Sequence, residues 1–247
     1  MTAAPINKLK ARLSAGEKTR GLWLDFHADA VAEMAGNSGA DWCLIDGEHA
    51  PFDPAALLTQ LRVLAGTKAE PIIRVPAAEA WMLKQVLDLG VQNVMVPMIE
   101  TADQAQAVVR ACRYPPDGIR GVGAMVARAG GYGARTDYLV TANAQICVIV
   151  QAESARALDN IEAIAAVDGI DAIFIGPADL AADLGKPAAE VRAVIDAGIA
   201  RIAAAGVAAG LVTSPADCAH FEALGAQLTS IGSDTRIMLA GLQDLFG

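Results

Sequence analysis

The 247-residue chain is short of cations: 19 Lys and Arg stand against 28 Asp and Glu, for a formal net charge of −9. No Lys/Arg cluster relieves that acidity, so nucleic acid and anionic membrane surfaces are excluded as partners. It has four cysteines, Cys43, Cys112, Cys147 and Cys218, far apart and without a C-x-x-C pair. They read as small buried hydrophobes in a reducing compartment rather than as disulfides. Long apolar runs are missing too. The most apolar window, Ala193 to Thr213, is cut by Asp196 and Arg201 and by Gly198, Gly206 and Gly210, and falls short of the ~18 apolar residues a span needs. Met1-Thr2-Ala3-Ala4-Pro5 has no basic region leading into an apolar one, so no secretory signal is expected. These absences point to a soluble, cytoplasmic globular protein.

Common catalytic fingerprints are absent as well. There is no G-x-S-x-G, no Walker loop and no dinucleotide fingerprint after a strand. Gly118 to Gly123 reads Gly-Ile-Arg-Gly-Val-Gly but follows a helix pattern, where it cannot present a phosphate to a strand–helix turn.

What the chain has in excess is alanine, 52 residues within a 54% hydrophobic fraction, which suits closely packed helices. Short apolar runs alternate with amphipathic segments. Strands are expected at Gly21–Phe26, Trp42–Asp46, Pro71–Val75, Asn93–Met98, Ile146–Gln151, Ala172–Gly176, Ala208–Thr213 and Gln227–Gly232. Their continuous apolar character, without period-two alternation, is that of parallel strands covered on both faces. Helices are expected at Ala28–Gly36, Asp53–Leu64, Glu79–Leu89, Ala102–Cys112, Ser154–Val167, Ala188–Ala205, Pro215–Leu224 and Asp234–Leu245. Asp53 before Pro54 and Ser214 before Pro215 read as helix starts, and Gly90 and Gly225 as stops. Eight strand–helix pairs predict a single (β/α)8 TIM barrel spanning residues 1–247. A doubly wound sheet is the alternative, but strand one ends Trp23-Leu24-Asp25-Phe26-His27 without a glycine-rich turn. Arg113 to Gln145 is the one long irregular stretch.

In a barrel, chemistry gathers where strands run into the loops that follow them. Strand two ends Asp46-Gly47-Glu48-His49, strand three ends at Arg74, strand five ends Gln151-Ala152-Glu153, and strand six ends Gly176-Pro177-Ala178-Asp179. Glu153 and Asp179 lie one strand–helix unit apart. They can hold a hard cation, share a proton as an acid/base pair, or merely cap the next helices. Of the three histidines, His49 sits best for a base. Arg74, ending an apolar strand, needs an anion, either a substrate's or a structural carboxylate. None of the six lysines ends a strand, so an imine mechanism lacks a nucleophile.

These residues resemble the metal-dependent (class II) pyruvate aldolases of the 4-hydroxy-2-oxoheptanedioate aldolase family, in the aldolase/citrate lyase superfamily. The matching pieces are Gly21-Leu22-Trp23-Leu24, Leu44 to Pro51, Val94 to Met98, Arg113 to Gly123, Val150 to Glu153 and Phe174 to Leu180. They run in order over nearly the whole chain, and D-G-E-H-A-P and G-P-A-D-L are specific. The resemblance implies a pyruvate-type barrel, assembled as a homohexamer with the last helix exchanged between neighbours. It implies a divalent cation (Mg2+, Mn2+ or Co2+) on Glu153 and Asp179, and pyruvate bound by Gln151, Gly176, Pro177, Ala178 and Asp179, with Trp23 and Val212 alongside. His49 maps to the base and Arg74 to the group that meets the enolate oxygen. Asp88 maps to an acid that acts on that histidine across a subunit contact, and Asp46 is its rival for that task.

The implied reaction is cleavage of a 4-hydroxy-2-oxo acid, such as 4-hydroxy-2-oxoheptanedioate, to pyruvate and an aldehyde. A 2-keto-3-deoxy sugar-acid aldolase of rhamnonate or glucarate type is the alternative. A CoA-ester lyase is another, though it would want a basic patch that this chain lacks. Relatives commonly carry serine, arginine and a large aromatic after Ala127-Arg128-Ala129. Here Gly130-Gly131-Tyr132-Gly133 predicts a pliable loop near the mouth and a loosely read aldehyde.

Overall fold

The computed structural model describes residues 2–247. Eight strands form a closed, all-parallel barrel in sequence order. They are β1 (Thr19–Leu24), β2 (Trp42–Asp46), β3 (Glu70–Arg74), β4 (Asn93–Val96), β5 (Cys147–Ala152), β6 (Ala172–Ile175), β7 (Ala208–Val212) and β8 (Ala226–Ser233). All eight expected strands are present, with ends displaced by at most two residues. Among the described residues twelve α-helices accompany them: α1 (Lys8–Ser14), α2 (Asp29–Gly36), α3 (Pro54–Leu64), α4 (Ala80–Asp88), α5 (Ala102–Cys112), α6 (Tyr138–Thr141), α7 (Ala155–Asp159), α8 (Ile161–Ala165), α9 (Pro177–Leu184), α10 (Ala188–Ala204), α11 (Cys218–Ala223) and α12 (Asp234–Phe246).

The continuous apolar strands divide their side chains between two cores. Cys43 and Ile45 of β2 face the helices, whereas Trp42 and Leu44 face the barrel interior with Ile72, Met95, Ile149 and Phe174. Leu9 and Leu13 of α1 close the bottom of that interior core. This helix was not expected. Its seven residues carry only that one apolar i, i+4 pair, with Asn7 accepting from the Lys10 N–H as the cap.

Two other expectations change. Ser154–Val167 is not one helix: Asn160, at φ −101° and ψ 11°, separates α7 from α8. The loop after β6 holds an unexpected helix, α9, started by Pro177 at its first position and stopped by Gly185 at φ 57°. The expected helix at Pro215–Leu224 is shorter, because Ser214 Oγ accepts from the Asp217 N–H in a turn before α11 begins. Among the described residues no helix is long and apolar enough to cross a membrane. The outward face of α12 is apolar, exposing Ile237, Leu242, Leu245 and Phe246.

Candidate active site

Parallel register sets Asp46 of β2 directly beside Arg74 of β3, and an aspartate and an arginine there form a planar pair. Arg74 Nε donates to Asp46 Oδ1 at 2.7 Å and Nη2 to Oδ2 at 2.8 Å, while Nη1 lies 2.5 Å from Glu48 Oε2. The guanidinium carbon lies 4.4 Å from the centre of the Trp23 ring. With two buried or half-buried carboxylates and an aromatic face, this cation is compensated in the way burial requires. Asp46 also accepts from the backbone N–H groups of Glu48 and His49. It therefore shapes the loop that carries His49 and does not touch the imidazole. The ring is exposed, and its Nε2 is 3.9 Å from Glu48 Oε2. Burial pushes the Glu48 carboxyl up, against the pull of Arg74 and His49.

The other half of the floor comes from β5 and β6. Glu153 is buried; its Oε1 accepts from Gln151 Nε2 at 2.8 Å and its Oε2 from the Met98 N–H at 3.1 Å. Met98 adopts φ 56°, a strained value for this residue type, in the loop that brings this N–H to the carboxylate. Burial raises the Glu153 carboxyl to about 7; the Met98 bond opposes this, and the charges of Glu48 and Asp179 add to the rise. Glycine is required at 176, because a Cβ there would stand 2.2 Å from Glu153 Oε1. Capping does not explain Glu153: Ser154 caps α7 instead, accepting from the Ala157 N–H. Asp179 sits in the first turn of α9 without a capping hydrogen bond.

These groups open into a cavity of about 780 Å³. His49, Arg74, Gln151, Glu153 and Asp179 are among its polar side chains, with Thr213 and Ser214 beside them; Gly176, Pro177 and Ala178 give its backbone edge, and Trp23 and Val212 an apolar wall. Asp46 lies beneath, behind Arg74. Asp88 is the residue that a single chain does not bring to the cavity. It ends α4, its Oδ1 accepting from Arg120 Nη2 at 2.7 Å, and lines a separate groove of about 500 Å³ with Trp81, Gly123, Val126 and Tyr132.

The glycine loop belongs to that groove rather than to the mouth of its own barrel. Nor is it without conformational preference. Gly131, Tyr132 and Gly133 hold φ of 63°, 56° and 89°, and a Cβ on Gly130 would meet the Ala124 carbonyl at 2.1 Å. Its glycines serve one defined left-handed turn.

Sequence reasoning passed over several residues of the cavity. Glu48 was in the motif but received no role, although it is the second carboxylate on Arg74. Ile231, Arg236 and Ile237, from β8 and α12, complete the rim. Only Arg236 carried a local signal, a cation in the first turn of a helix, where the dipole disfavours it.

Among the described residues no group of three or more His, Cys, Asp or Glu is arranged to hold a metal ion. The donors at the floor do match a hard cation that keeps most of its positions for water and substrate. They are all oxygen, two are carboxylates, and the negative charge around Glu153 is already in excess. Gln151 Oε1 is buried there without a partner.

A family model described as HpcH/HpaI aldolase/citrate lyase matches residues 19–240. The chain is 47% identical over 238 residues to a hydroxypyruvate/pyruvate aldolase of Agrobacterium fabrum, covering 94% of this chain and 89% of that protein. It is 49% identical over 242 residues to a 4-hydroxy-2-oxovalerate aldolase of Rhodococcus jostii, covering 95% and 93%. It is 47% identical over 242 residues to a 2-keto-3-deoxy-L-rhamnonate aldolase of Escherichia coli, covering 96% and 91%.

Proposed function

The chain belongs to the HpcH/HpaI aldolase/citrate lyase family and is a carbon–carbon lyase, and on that premise we propose that it cleaves a 4-hydroxy-2-oxo acid reversibly to pyruvate and an aldehyde. The observation that carries this reading is the cavity floor: a buried arginine, neutralised by carboxylates but with N–H groups to spare, opposite an acidic pair that is short of positive charge.

Glu153 and Asp179 would hold a divalent cation, Mg2+, Mn2+ or Co2+, with the unpartnered Gln151 Oε1 beside them. When bound, such an ion supplies Lewis acidity at the 2-oxo group. The chain's own side chains account for the rest. Two of the five Arg74 N–H groups are given to Asp46, and Nη1 makes an ion-pair contact with Glu48; N–H groups not given to Asp46 remain for the C2 oxygen as negative charge develops on it. His49, on an exposed and adjustable ring, removes the proton of the 4-hydroxyl. The C3–C4 bond then breaks, its electron pair passing into the C2–C3 unit as the aldehyde leaves, and a proton delivered to C3 gives pyruvate. Gln151 and the backbone at Gly176 to Ala178 are suited to the pyruvate carboxylate.

The names of the relatives agree on pyruvate chemistry and differ in the partner aldehyde. A sugar-acid substrate is the second reading, favoured by the rhamnonate-named relative. The test is pyruvate release from a panel of 4-hydroxy-2-oxo acids after chelator dialysis, with and without each cation. Cation-dependent release is expected; full activity in metal-free enzyme overturns the reading. No lysine lines the cavity, so borohydride with pyruvate should leave the protein mass unchanged.

We read the oligomer as a homohexamer with α12 exchanged between neighbours. The apolar outer face of α12 supports this, as does the groove of about 910 Å³ it forms with Phe26, Val31 and Met34.

A further inference from the structure

His49 rides on a short loop, so its reach is set by the backbone that carries it. That backbone leaves β2 at the Asp46–Gly47 peptide, where the two neighbouring strands treat it differently. Toward β3 the register runs to Asp46 opposite Arg74, and the Gly47 N–H donates to the Arg74 carbonyl at 2.9 Å. Toward β1 the pairing ends at Leu24 and Ile45, one residue short of Asp46.

An imidazole takes over there. His27, just beyond β1, lies with its Nε2 2.7 Å from the Asp46 carbonyl oxygen. A carbonyl oxygen only accepts, so Nε2 carries the hydrogen and donates it. Nδ1 is buried and has no hydrogen-bond partner among the described residues, which leaves the bond to Asp46 as the ring's one polar anchor. The side chain is brought to it by a backbone at φ 52°, a left-handed value that a β-carbon disfavours and that persists only where its surroundings demand it.

One peptide unit is thus clamped at both polar ends, its N–H by β3 and its C=O by His27. The Asp46 carboxylate then accepts the next two N–H groups, those of Glu48 at 3.0 Å and His49 at 3.2 Å. Asp46 and the backbone of His49 form one fixed unit, and His27 ties that unit to β1, whose Trp23 lies over Arg74.

We infer that His27 is a positioning residue for the cleavage: by holding the Asp46 carbonyl it fixes the backbone from which His49 reaches the 4-hydroxyl. This rests on the aldolase reading above and adds to it a residue that does not line the cavity.

Three substitutions separate the hydrogen bond from the backbone conformation. The amide nitrogen of a glutamine can take the place of the imidazole Nε2, whereas that of an asparagine is one bond too short; asparagine in turn tolerates a left-handed φ far better. Glycine accepts φ 52° and donates nothing. Pyruvate release from 4-hydroxy-2-oxoheptanedioate and from 2-keto-3-deoxy-L-rhamnonate is followed with Mn2+ present, alongside denaturant midpoints. In His27→Asn and His27→Gly, kcat should fall about 10–10²-fold, the cost of displacing a catalytic group by up to about 1 Å. KM should change little, because other residues bind the 2-oxo acid. His27→Gln should regain a large part of the rate. The midpoint of His27→Gly should hold, relief of the left-handed backbone offsetting the lost bond. A wild-type kcat in His27→Gly, a rate that falls only in step with the midpoint, or a His27→Asn that matches or outperforms His27→Gln overturns the assignment while leaving the aldolase reading intact. A wild-type enzyme that cleaves neither compound overturns both.

Discussion

Arg74 and Arg120 are both buried, and each guanidinium lies 4.4 Å over an aromatic ring, Trp23 for one and Tyr114 for the other. Their partners differ. Arg74 is held by both oxygens of Asp46 and by Glu48. Arg120 has one oxygen of Asp88, while its Nε and Nη1, the Tyr114 hydroxyl and Gln85 Oε1 are buried without partners. Removing a cation from water is repaid only when its hydrogen bonds are replaced. The barrel mouth meets that condition for the Arg74–Asp46 pair, although Glu48 Oε2, Gln151 Oε1 and Trp23 Nε1 are buried there without hydrogen-bond partners. The flank formed by α4 and residues 113–133 gives its arginine a single carboxylate oxygen, and beside it Trp81, Val126 and Tyr132 are exposed. The contrast separates an arginine held by both oxygens of a neighbouring strand's aspartate from one on a surface suited to completion by a second copy, as the cross-subunit role that the resemblance implies for Asp88 requires.

The largest expected effect tests that contrast directly. Arg74→Met strands Asp46 and Glu48 and should cost about 3–5 kcal/mol of stability, read from denaturant midpoints at unchanged slope. Arg120→Met relieves a poorly repaid burial and leaves behind only the partly exposed Asp88, so it should cost less than about 1 kcal/mol. Equal losses would break the comparison.

Arg74→Lys keeps the charge but not the planar fork. Turnover should fall by about 10²–10³-fold, the worth of a donor aimed at developing negative charge, while Mn2+ binding followed by calorimetry persists. Loss of cation binding to the same extent would move Arg74 from the reaction to the integrity of the floor.

The flank is sharpened by complementation. His49→Ala and Asp88→Asn should each be nearly inactive alone. When the two are refolded together at equal amounts, about a quarter of the sites in a mixed ring pair a wild-type His49 with a neighbour's Asp88. Recovery near that fraction supports an Asp88 that acts across the contact; no recovery in verified mixed oligomers removes it from the site.

The smallest effect concerns the turn. Gly131→Ala forces a side chain onto φ 63° and should cost about 1–2 kcal/mol, with the kcat for pyruvate release from 4-hydroxy-2-oxoheptanedioate retained. A stability change near zero would show that the left-handed turn is not held in solution.

Several parts of the molecule were legible locally. Trp42–Asp46 and Ala102–Cys112 have the same bounds in sequence and structure, because an apolar run and a capping Thr101 act over a few residues. The short helices were less legible. α1 buries one pair of leucines that gain their value only against the barrel interior, and α9 opens at Pro177 inside a motif read for its chemistry. The candidate site divides along the same line. Strand ends pointed to His49, Arg74, Glu153 and Asp179 as cavity residues, whereas Glu48 acquires its setting from a partner distant in the chain.

What the sequence determined by itself is the alternation of buried strand and amphipathic helix, with polar residues reserved for strand ends, since periodicity, caps and turns are short-range physics. Tertiary structure decided which face of each strand looks inward, and that Asp46 and Arg74, 28 residues apart, share a rung of the sheet. It also decided that Asp88 and the glycine turn belong to a flank and that a helix near the C-terminus puts Arg236 over the mouth. Barrel closure and strand register set these, and both depend on contacts between segments far apart in the chain.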